Sequence, residues 1–261
     1  SPADYYAAKA RVFMNQTAED TAILNADDPE AWSLRAGLRA RLIPFSIEGN
    51  VAEGVVLRGG ELVHVEGGRA VPLMESREVP LVGRHNLENV AAAAAIARAL
   101  SAPPEAIRRA VLAFQALPHR LRFVRRVRGA VVYDDSKATN VGSTIRAIQS
   151  FDTPIVLLLG GRDKGGDFAS LIPHLRERVR AVVTFGEAGP RIAARLKGAI
   201  PILEGGPLAA AARAAVEAAR PGDVVLLAPA CASFDAYTGY AARGDDFVRI
   251  IGEIDTGGGR G

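Results

Sequence analysis

Residues 155–168 read Ile-Val-Leu-Leu-Leu-Gly-Gly-Arg-Asp-Lys-Gly-Gly-Asp-Phe. Five apolar residues come first, then two glycines, then polar residues that are suited to the start of a helix. A short apolar run that ends in glycine is typical of a strand buried on both faces. The stretch therefore predicts a parallel strand, a tight turn and a following helix.

The same rhythm continues through the second half of the chain. Further strand-like runs lie at 130–134, 181–185, 200–203 and 224–228. Helix candidates lie at 143–150, 168–179, 190–196, 208–219 and about 245–254. Apolar strands that alternate with helices form parallel sheets, which bind ligands at the carboxyl ends of their strands. We predict a Rossmann-like C-terminal domain with a mainly parallel sheet over residues 118–256.

The first half, residues 1–117, is less regular but is also α/β. We expect a helix opened by Ser1 and Pro2, strands at 21–25 and 41–46, and helices at 89–100 and 104–114. Pro44 is expected to mark the edge or the end of its strand. Between 51 and 82, apolar stretches alternate with glycine pairs, which predicts a small antiparallel meander. The glycine-rich tail, 257–261, is expected to be disordered.

Composition excludes several classes of protein. The 261 residues carry a net charge of only +3, which gives no reason to expect nucleic-acid binding. A single cysteine, Cys231, excludes an internal disulfide framework and fits a reducing compartment. The longest apolar runs, 90–97 and 224–228, are far too short to span a membrane. We expect a cytoplasmic monomer without membrane insertion.

Lysine is scarce, and this makes each lysine a better candidate for function. Only four of the 32 basic residues are lysines, namely Lys9, Lys137, Lys164 and Lys197, and all the others are arginines.

The densest polar segment is Asp134-Asp-Ser-Lys-Ala-Thr-Asn140, which follows a predicted strand. Carboxylates accept bonds from sugar hydroxyls, and a lysine binds anionic oxygens. The segment suits recognition of a phosphate, a ribose or a carboxylate, although an ordinary polar loop with capping residues is the alternative.

Two more strand ends carry weaker signals. Gly160 and Gly161 allow a tight turn that presents Lys164, and we expect this turn to neighbour the 134–140 segment in the sheet. Small residues follow the last strand around Ser233, whereas Cys231 is expected to be a buried hydrophobe.

In the first half, the segment 83–89 stands before the predicted 89–100 helix, and Asn86 and Asn89 are spaced to face one ligand. Pro118-His-Arg120 lies at the predicted domain junction. The alternatives are that the 83–89 segment only caps a helix and that Arg120 is an ordinary surface arginine.

Taken together, these segments resemble the Mur ligases, ATP-dependent enzymes that add amino acids to the peptidoglycan precursor. The string Asp135-Ser-Lys-Ala-Thr-Asn140, followed by Gly142-Ser-Thr144, is the most discriminating and is similar to the branch that adds D-glutamate. The resemblance runs from Tyr6-Ala-Ala-Lys9 to the last helix. It implies that residues 1–117 are the C-terminal part of a central ATPase domain and residues 118–256 an amino-acid-binding domain.

The resemblance also implies a role for each matching residue. Lys9, Arg120 and Lys137 would be catalytic, with Lys9 carbamylated so that it holds Mg²⁺. The nucleotide would contact Asn86, Asn89, His119, Arg120 and Asp135. The two carboxylates of D-glutamate would be held by Thr139, Lys164, Ser233 and the backbone at Tyr240.

The implied reaction joins D-glutamate to UDP-MurNAc-L-Ala through an acyl phosphate, with ATP and Mg²⁺. However, no Gly-x-x-x-x-Gly-Lys-[Ser/Thr] phosphate loop occurs in these residues. We therefore expect a truncated chain that lacks the N-terminal domain and the phosphate-loop part of the central domain, and that is inactive alone. The alternatives are a non-catalytic module that binds D-glutamate or nucleotide, and a ligase similar to folylpolyglutamate synthase.

Overall fold

A computed structural model describes residues 2–49 and 51–256, which divide into two compact units, residues 1–115 and 116–261. Ser1 and the tail at 257–261, for which we predicted a helix cap and disorder, lie outside the described residues. No helix in the described ranges is long and apolar enough to cross a membrane.

The first unit contains one mixed five-stranded sheet. Its strands are β1 Thr21–Asn25, β2 Arg41–Ser46, β3 Gly54–Arg58, β4 Glu61–Glu66 and β5 Arg69–Glu75, in that spatial order. The pairs β1–β2 and β2–β3 are parallel, whereas β3, β4 and β5 form the predicted antiparallel meander. The helices are α1 Pro2–Ala10, α2 Pro29–Ser33, α3 Arg84–Ala99 and α4 Pro104–Ala113.

Two expectations about the first unit were wrong. β2 lies inside the sheet, so Pro44 marks no edge. β2 pairs with β3 only from Phe45 onward. Proline has no backbone N–H, and no hydrogen bond to β3 requires one at Pro44. Helix α3 starts at Arg84, so the 83–89 segment forms its first turns instead of standing before it. Asn86 and Asn89 therefore lie within the helix.

The core of the first unit lies between the sheet and helices α3 and α4. Small alanines of α3 let the helix approach the strands closely, and larger apolar side chains fill the remaining space. This cluster includes Ile43, Phe45, Val55, Leu62, Val90, Ala91, Ala94 and Ile107.

The second unit is built on a six-stranded sheet. Its strands are β6 Arg122–Val127, β7 Ala130–Asp134, β8 Ile155–Gly160, β9 Val179–Phe185, β10 Ile202–Glu204 and β11 Val224–Ala230. The spatial order is β10-β9-β8-β11-β7-β6, and every pair is parallel except the β6–β7 hairpin. The predicted mainly parallel sheet is confirmed.

Helices cover both faces of this sheet: α5 Val141–Gln149, α6 Ile172–Arg178, α7 Gly189–Leu196, α8 Leu208–Ala218 and α9 Tyr240–Thr256. All six residues of β8 are buried, as expected of a strand covered on both faces. α8 and α9 pack on one face with Phe247, Ile250 and Ile251. The residues before α6, 168–171, form a 3₁₀ turn.

Strand β6 was not predicted. Its sequence, Arg-Phe-Val-Arg-Arg-Val, lacks clean alternation because a register shift falls between Phe123 and Arg125. A bulge places two residues opposite one and so disrupts the period-2 pattern on which strand prediction rests. The arginines lie on an edge strand, where charge discourages pairing with other chains.

Close packing at the end of β8 gives the first testable prediction. Gly160 has φ +154°, and a Cβ there would lie 1.9 Å from the carbonyl oxygen of Phe185. Gly160→Ala is therefore expected to destabilise the second unit by about 3 kcal/mol or more. Gly198→Ala is the matched control. Its φ of +79° is also positive and therefore also unfavourable for alanine, but no atom lies within 4 Å, so we expect a loss of only about 1–2 kcal/mol.

Hydrogen exchange of the β8 amides measures the difference, because the single tryptophan, Trp32, reports on the first unit only. Equal exchange in the two variants would contradict the packing argument.

Candidate functional site

The carboxyl ends of β7, β8 and β11 lie side by side in the second unit, with β11 in the middle. We expected the segments after β7 and β8 to be neighbours, but β11 separates them. The chain order reverses here, since the chain runs outward from β7 through β8 and β9 to β10 and then returns to β11, between β8 and β7. Such a switch point is where open α/β sheets form their ligand crevice.

A buried arginine joins the loops at this edge. Arg243, in the first turn of α9, is 1% exposed. Its Nη2 donates to the carbonyl oxygen of Ser136 at 2.8 Å, and its Nε donates to Ser136 Oγ at 2.9 Å. Its Nη1 donates to the carbonyl oxygens of Cys231 and Ala232 at 3.1 and 3.2 Å. One guanidinium thus ties α9 to the loops after β7 and β11.

Burial lowers the pKa of Arg243 to about 10, because desolvation outweighs the attraction of nearby Asp235 and Asp134. The side chain therefore stays charged at neutral pH and partly balances the carboxylate of Asp134, which is fully buried.

His119 and Asp134 form a second buried connection. His119 Nδ1 lies 2.6 Å from Asp134 Oδ2, and His119 is only 4% exposed. Asp134 Oδ1 accepts the backbone N–H of Ser136 at 2.9 Å. Gly244 packs against this pair, since a Cβ there would lie 2.1 Å from His119 Nδ1. The imidazole therefore stabilises the loop after β7. Its contact with a nucleotide remains a prediction.

Backbone strain concentrates at the same edge. Five non-glycine residues in the described ranges have positive φ: Ser101, His119, Leu121, Arg128 and Ala230. Three of them, His119, Leu121 and Ala230, border the β7 and β11 ends. Left-handed backbone at such positions costs free energy and is retained where surrounding contacts hold it, often at functional sites.

Several predicted residues come together at this edge. Lys137 is half-buried, and its Nζ lies 3.9 Å from the centroid of the Tyr240 ring. Its backbone N–H donates to the carbonyl of His119 at 3.1 Å, and Thr139 N–H donates to the carbonyl of Lys137. Arg120 is exposed.

Asp135 lies on the same loop as Lys137 and is half-buried. Its N–H donates to the carbonyl of Leu227, while Leu121 N–H donates to its Oδ1 at 3.4 Å. Burial, more than the charge of Asp134, raises the pKa of Asp135 from 3.8 to about 7.

Two predicted residues follow the neighbouring strands. Ser233, after β11, is 2% exposed. Lys164 is exposed on the turn after β8, where Asp163 accepts from Gly166 N–H at 2.8 Å and pairs with Arg191. The antiparallel bridge between Arg162 and Ala232 joins these two strand ends.

The remaining predicted residues belong to the first unit. Lys9 is exposed in the last turn of α1. Asn86 Nδ2 donates to the carbonyl of Val82 at 2.7 Å, and Asn89 Nδ2 donates to Asn86 Oδ1 at 3.4 Å. The two asparagines thus contact each other, as their spacing on one helix face predicts.

Sequence reasoning missed the roles of Arg243, Ser136 and Asp134. One signal was available, because Gly244 directly follows Arg243 and glycine lets another chain segment approach closely.

Two sequence models of known families match the chain. The Mur ligase middle domain matches residues 1–97, and the Mur ligase glutamate ligase domain matches residues 119–231. Among curated relatives, the UDP-N-acetylmuramoylalanine--D-glutamate ligases of Acidobacterium capsulatum and Solibacter usitatus are each 43% identical, over 95% and 97% of this chain. The chain belongs to the Mur ligase family. It spans about half the length of these relatives, 54% and 56%.

Solved structures agree on the Mur ligase fold. A pseudomurein peptide ligase type C from Methanothermus fervidus aligns with a TM-score of 0.72 at 13% identity, over 97% of this chain and 60% of its own. Mycobacterium tuberculosis folylpolyglutamate synthase aligns with a TM-score of 0.66 at 17% identity, over 93% and 58%. At these identities, the likeness concerns the fold alone.

The raised pKa of Asp135 gives a prediction about pH. The folded chain holds the Asp135 proton more tightly than the unfolded chain, so the protonated carboxyl contributes stability that is complete below about pH 4. That contribution is lost as the pH rises toward 7. Asp135→Asn, which carries no charge, is expected to increase the free energy of unfolding at pH 8 by about 1–2 kcal/mol, and by much less at pH 4.

Urea denaturation at the two pH values measures this effect. Glu217→Gln on the exposed side of α8 is the control, and we expect it to change stability by less than about 0.5 kcal/mol at either pH. A loss of stability in Asp135→Asn at pH 8 would show that the carboxylate is held charged.

Proposed function

We propose that this chain supplies the D-glutamate site and part of the ATP site of a ligase that joins D-glutamate to UDP-MurNAc-L-Ala. The observation that carries the proposal is the 43% identity, over nearly the whole chain, to relatives named as D-glutamate ligases. The geometry supports it, since three motif loops meet at one sheet edge. Lys137 and Lys164 on these loops, together with Arg120 just before β6, suit a substrate set that is rich in carboxylates and phosphates.

The proposed chemistry has two steps. The carboxylate of UDP-MurNAc-L-Ala attacks the γ-phosphorus of ATP, so that ADP leaves and an acyl phosphate forms. The amine of D-glutamate then attacks the acyl carbon, phosphate leaves, and the nitrogen loses a proton as the amide forms. Both steps move charge between phosphate and carboxylate oxygens, and fixed cations stabilise such charge best when they need no rearrangement.

We assign the residues of the second unit as follows. Arg120 and Lys137 face the phosphates, and Asp135 accepts a ribose hydroxyl. Lys164, Thr139, Ser233 and the backbone at Tyr240 hold the two carboxylates of D-glutamate. Two anion sites at a fixed separation select a dicarboxylic amino acid, since an analogue that lacks one carboxylate leaves a cation unpaired. His119 acts through Asp134, because its ring is enclosed.

We assign the adenine to Asn86 and Asn89 of the first unit, and the metal to Lys9. The described residues contain no cluster of three or more His, Cys, Asp or Glu side chains that could hold a metal. Mg²⁺ usually takes one or two carboxylates together with substrate phosphates and water. Carbamylated Lys9 would be one such carboxylate. When bound, Mg²⁺ would neutralise charge on the phosphates.

The proposal includes a cytoplasmic location, which suits a chain whose single cysteine is free and buried. A folate ligase is the second candidate, but only a shared fold favours it.

Binding of D-glutamate by this chain is the first test. Lys164→Met should weaken D-glutamate binding by about tenfold or more, because it removes a charge-assisted bond to a carboxylate. Lys197→Met, which removes an exposed lysine just after α7, is the matched control and should leave the affinity unchanged. Calorimetric titration with D-glutamate and L-glutamate measures both. Equal binding of the two enantiomers, or no effect of Lys164→Met, would contradict the assignment.

Ligase activity is the second test, and it uses the product of the whole gene. Phosphate release should require UDP-MurNAc-L-Ala, D-glutamate and ATP together, and folate should not replace the muramoyl substrate. Lys9→Ala should abolish this activity, and an added short carboxylic acid should restore part of it by replacing the carbamate. Full activity of Lys9→Ala would exclude the carbamate. D-glutamate binding without phosphate release would favour the binding module.

A further inference from the structure

The side chain of Lys137 is held by an aromatic ring. Its Nζ lies 3.9 Å from the centroid of Tyr240, within the range of a cation–π interaction. Among the described residues, Lys164 and Lys197 have no such ring contact. The rings of His119 and Tyr240 form a T-shaped pair, with centroids 6.3 Å apart and an interplanar angle of 75°. The Tyr240 ring therefore contacts both the ammonium of Lys137 and the buried histidine.

The backbone of Tyr240 is fixed as well. Ser136 Oγ donates to its carbonyl oxygen at 2.8 Å while accepting from Arg243 Nε. Ser136 N–H in turn donates to Asp134, which pairs with His119. The carbonyl of His119 accepts the N–H of Lys137, and this closes the circuit. Contacts thus run without a gap through Lys137, Tyr240, Ser136, Asp134 and His119.

We propose that the ring of Tyr240 is a positioning element for Lys137, which it holds at the carboxyl edge of the sheet. This role is separate from the backbone contact that the proposed function gives to Tyr240. A lysine side chain has four rotatable bonds and loses much entropy when it is immobilised. A ring that binds the ammonium before any substrate arrives reduces the entropy lost on binding. Only a face of π-electrons is required, so phenylalanine should serve as well as tyrosine.

Lysine-selective labelling tests the contact in the 261-residue chain itself. With four lysines in the sequence, a spectrum of ¹³Cε-labelled lysine contains four signals. The Lys137 signal, assigned through Lys137→Arg, should lie upfield of those of Lys164 and Lys197, because its ε-methylene group is bonded to the Nζ that lies over the Tyr240 ring. Tyr240→Leu should abolish the upfield shift, and Tyr240→Phe should preserve it. A Lys137 signal that coincides with the other two in the unaltered chain would overturn the proposal.

Tyr240→Leu also removes a packed ring and can unfold the second unit. Circular dichroism would show the loss of helix if the variant unfolds. In that case a measurement on the unaltered chain tests the contact between Lys137 and Tyr240. A nuclear Overhauser effect between the Lys137 ε-protons and the Tyr240 ring protons supports the proposal, and its absence overturns it.

The kinetic consequence rests on the proposed function and uses the product of the whole gene. Tyr240→Leu should lower kcat between about threefold and thirtyfold, the range of one cation–π interaction. KM for D-glutamate should stay within about twofold, because the substitution retains the backbone N–H at residue 240, the group that can donate to a carboxylate. Tyr240→Phe should recover most of the lost kcat.

The outcomes separate the two proposals. Equal losses in Tyr240→Leu and Tyr240→Phe, or an unchanged kcat in Tyr240→Leu, would overturn the positioning role. An unaltered enzyme that does not turn over the proposed substrates would overturn the proposed function, and the lysine spectrum would still decide the role of the ring.

Discussion

The guanidinium of Arg243 is the constraint on which the candidate site depends. It is buried, charged at neutral pH, and donates to three backbone carbonyls and one hydroxyl on two loops. A buried cation of this kind is tolerated only when its donors are satisfied, so the loops cannot move independently without leaving it unpaired. The positions of Lys137, Ser233 and Tyr240 relative to one another follow from this requirement.

The circuit through His119 extends the same constraint. The short contact between His119 and Asp134 holds the turn that carries Arg120, and Gly244 leaves just enough room for the imidazole. Arg120 itself is exposed, so a buried pair fixes the backbone while a neighbouring residue presents its charge to solvent. A rigid shell of contacts behind an exposed cation is the arrangement that preorganised binding sites require.

Asp135 shows how burial at the same sheet edge acts on a carboxyl group. Desolvation raises its pKa to about 7, whereas Asp134, one residue earlier, has the N–H of Ser136 and His119 as partners. The two adjacent carboxyls thus have different surroundings. Asp134 is fully buried with short contacts, whereas Asp135 is half-buried and accepts a longer bond, at 3.4 Å, from Leu121 N–H. In the proposed function, Asp135 would gain its charge when a ligand donates to it.

Much of the fold could be predicted because its patterns are local. The apolar runs 155–159 and 224–228 identify strands buried on both faces, and glycine pairs identify the meander. The polar motif at 134–140 and the scarcity of lysine likewise indicate the candidate site from the amino-acid sequence alone. These signals depend on neighbours in the chain, which the amino-acid order contains directly.

Tertiary structure alone decided what depends on distant residues. Strand order placed β11 between β7 and β8, and a bulge in β6 masked that strand. The contacts of Arg243 with Ser136, and of Lys137 with Tyr240, span more than 100 residues of chain. An arginine in an amphipathic helix resembles a surface charge, since its burial depends on which loops the folded sheet brings over it.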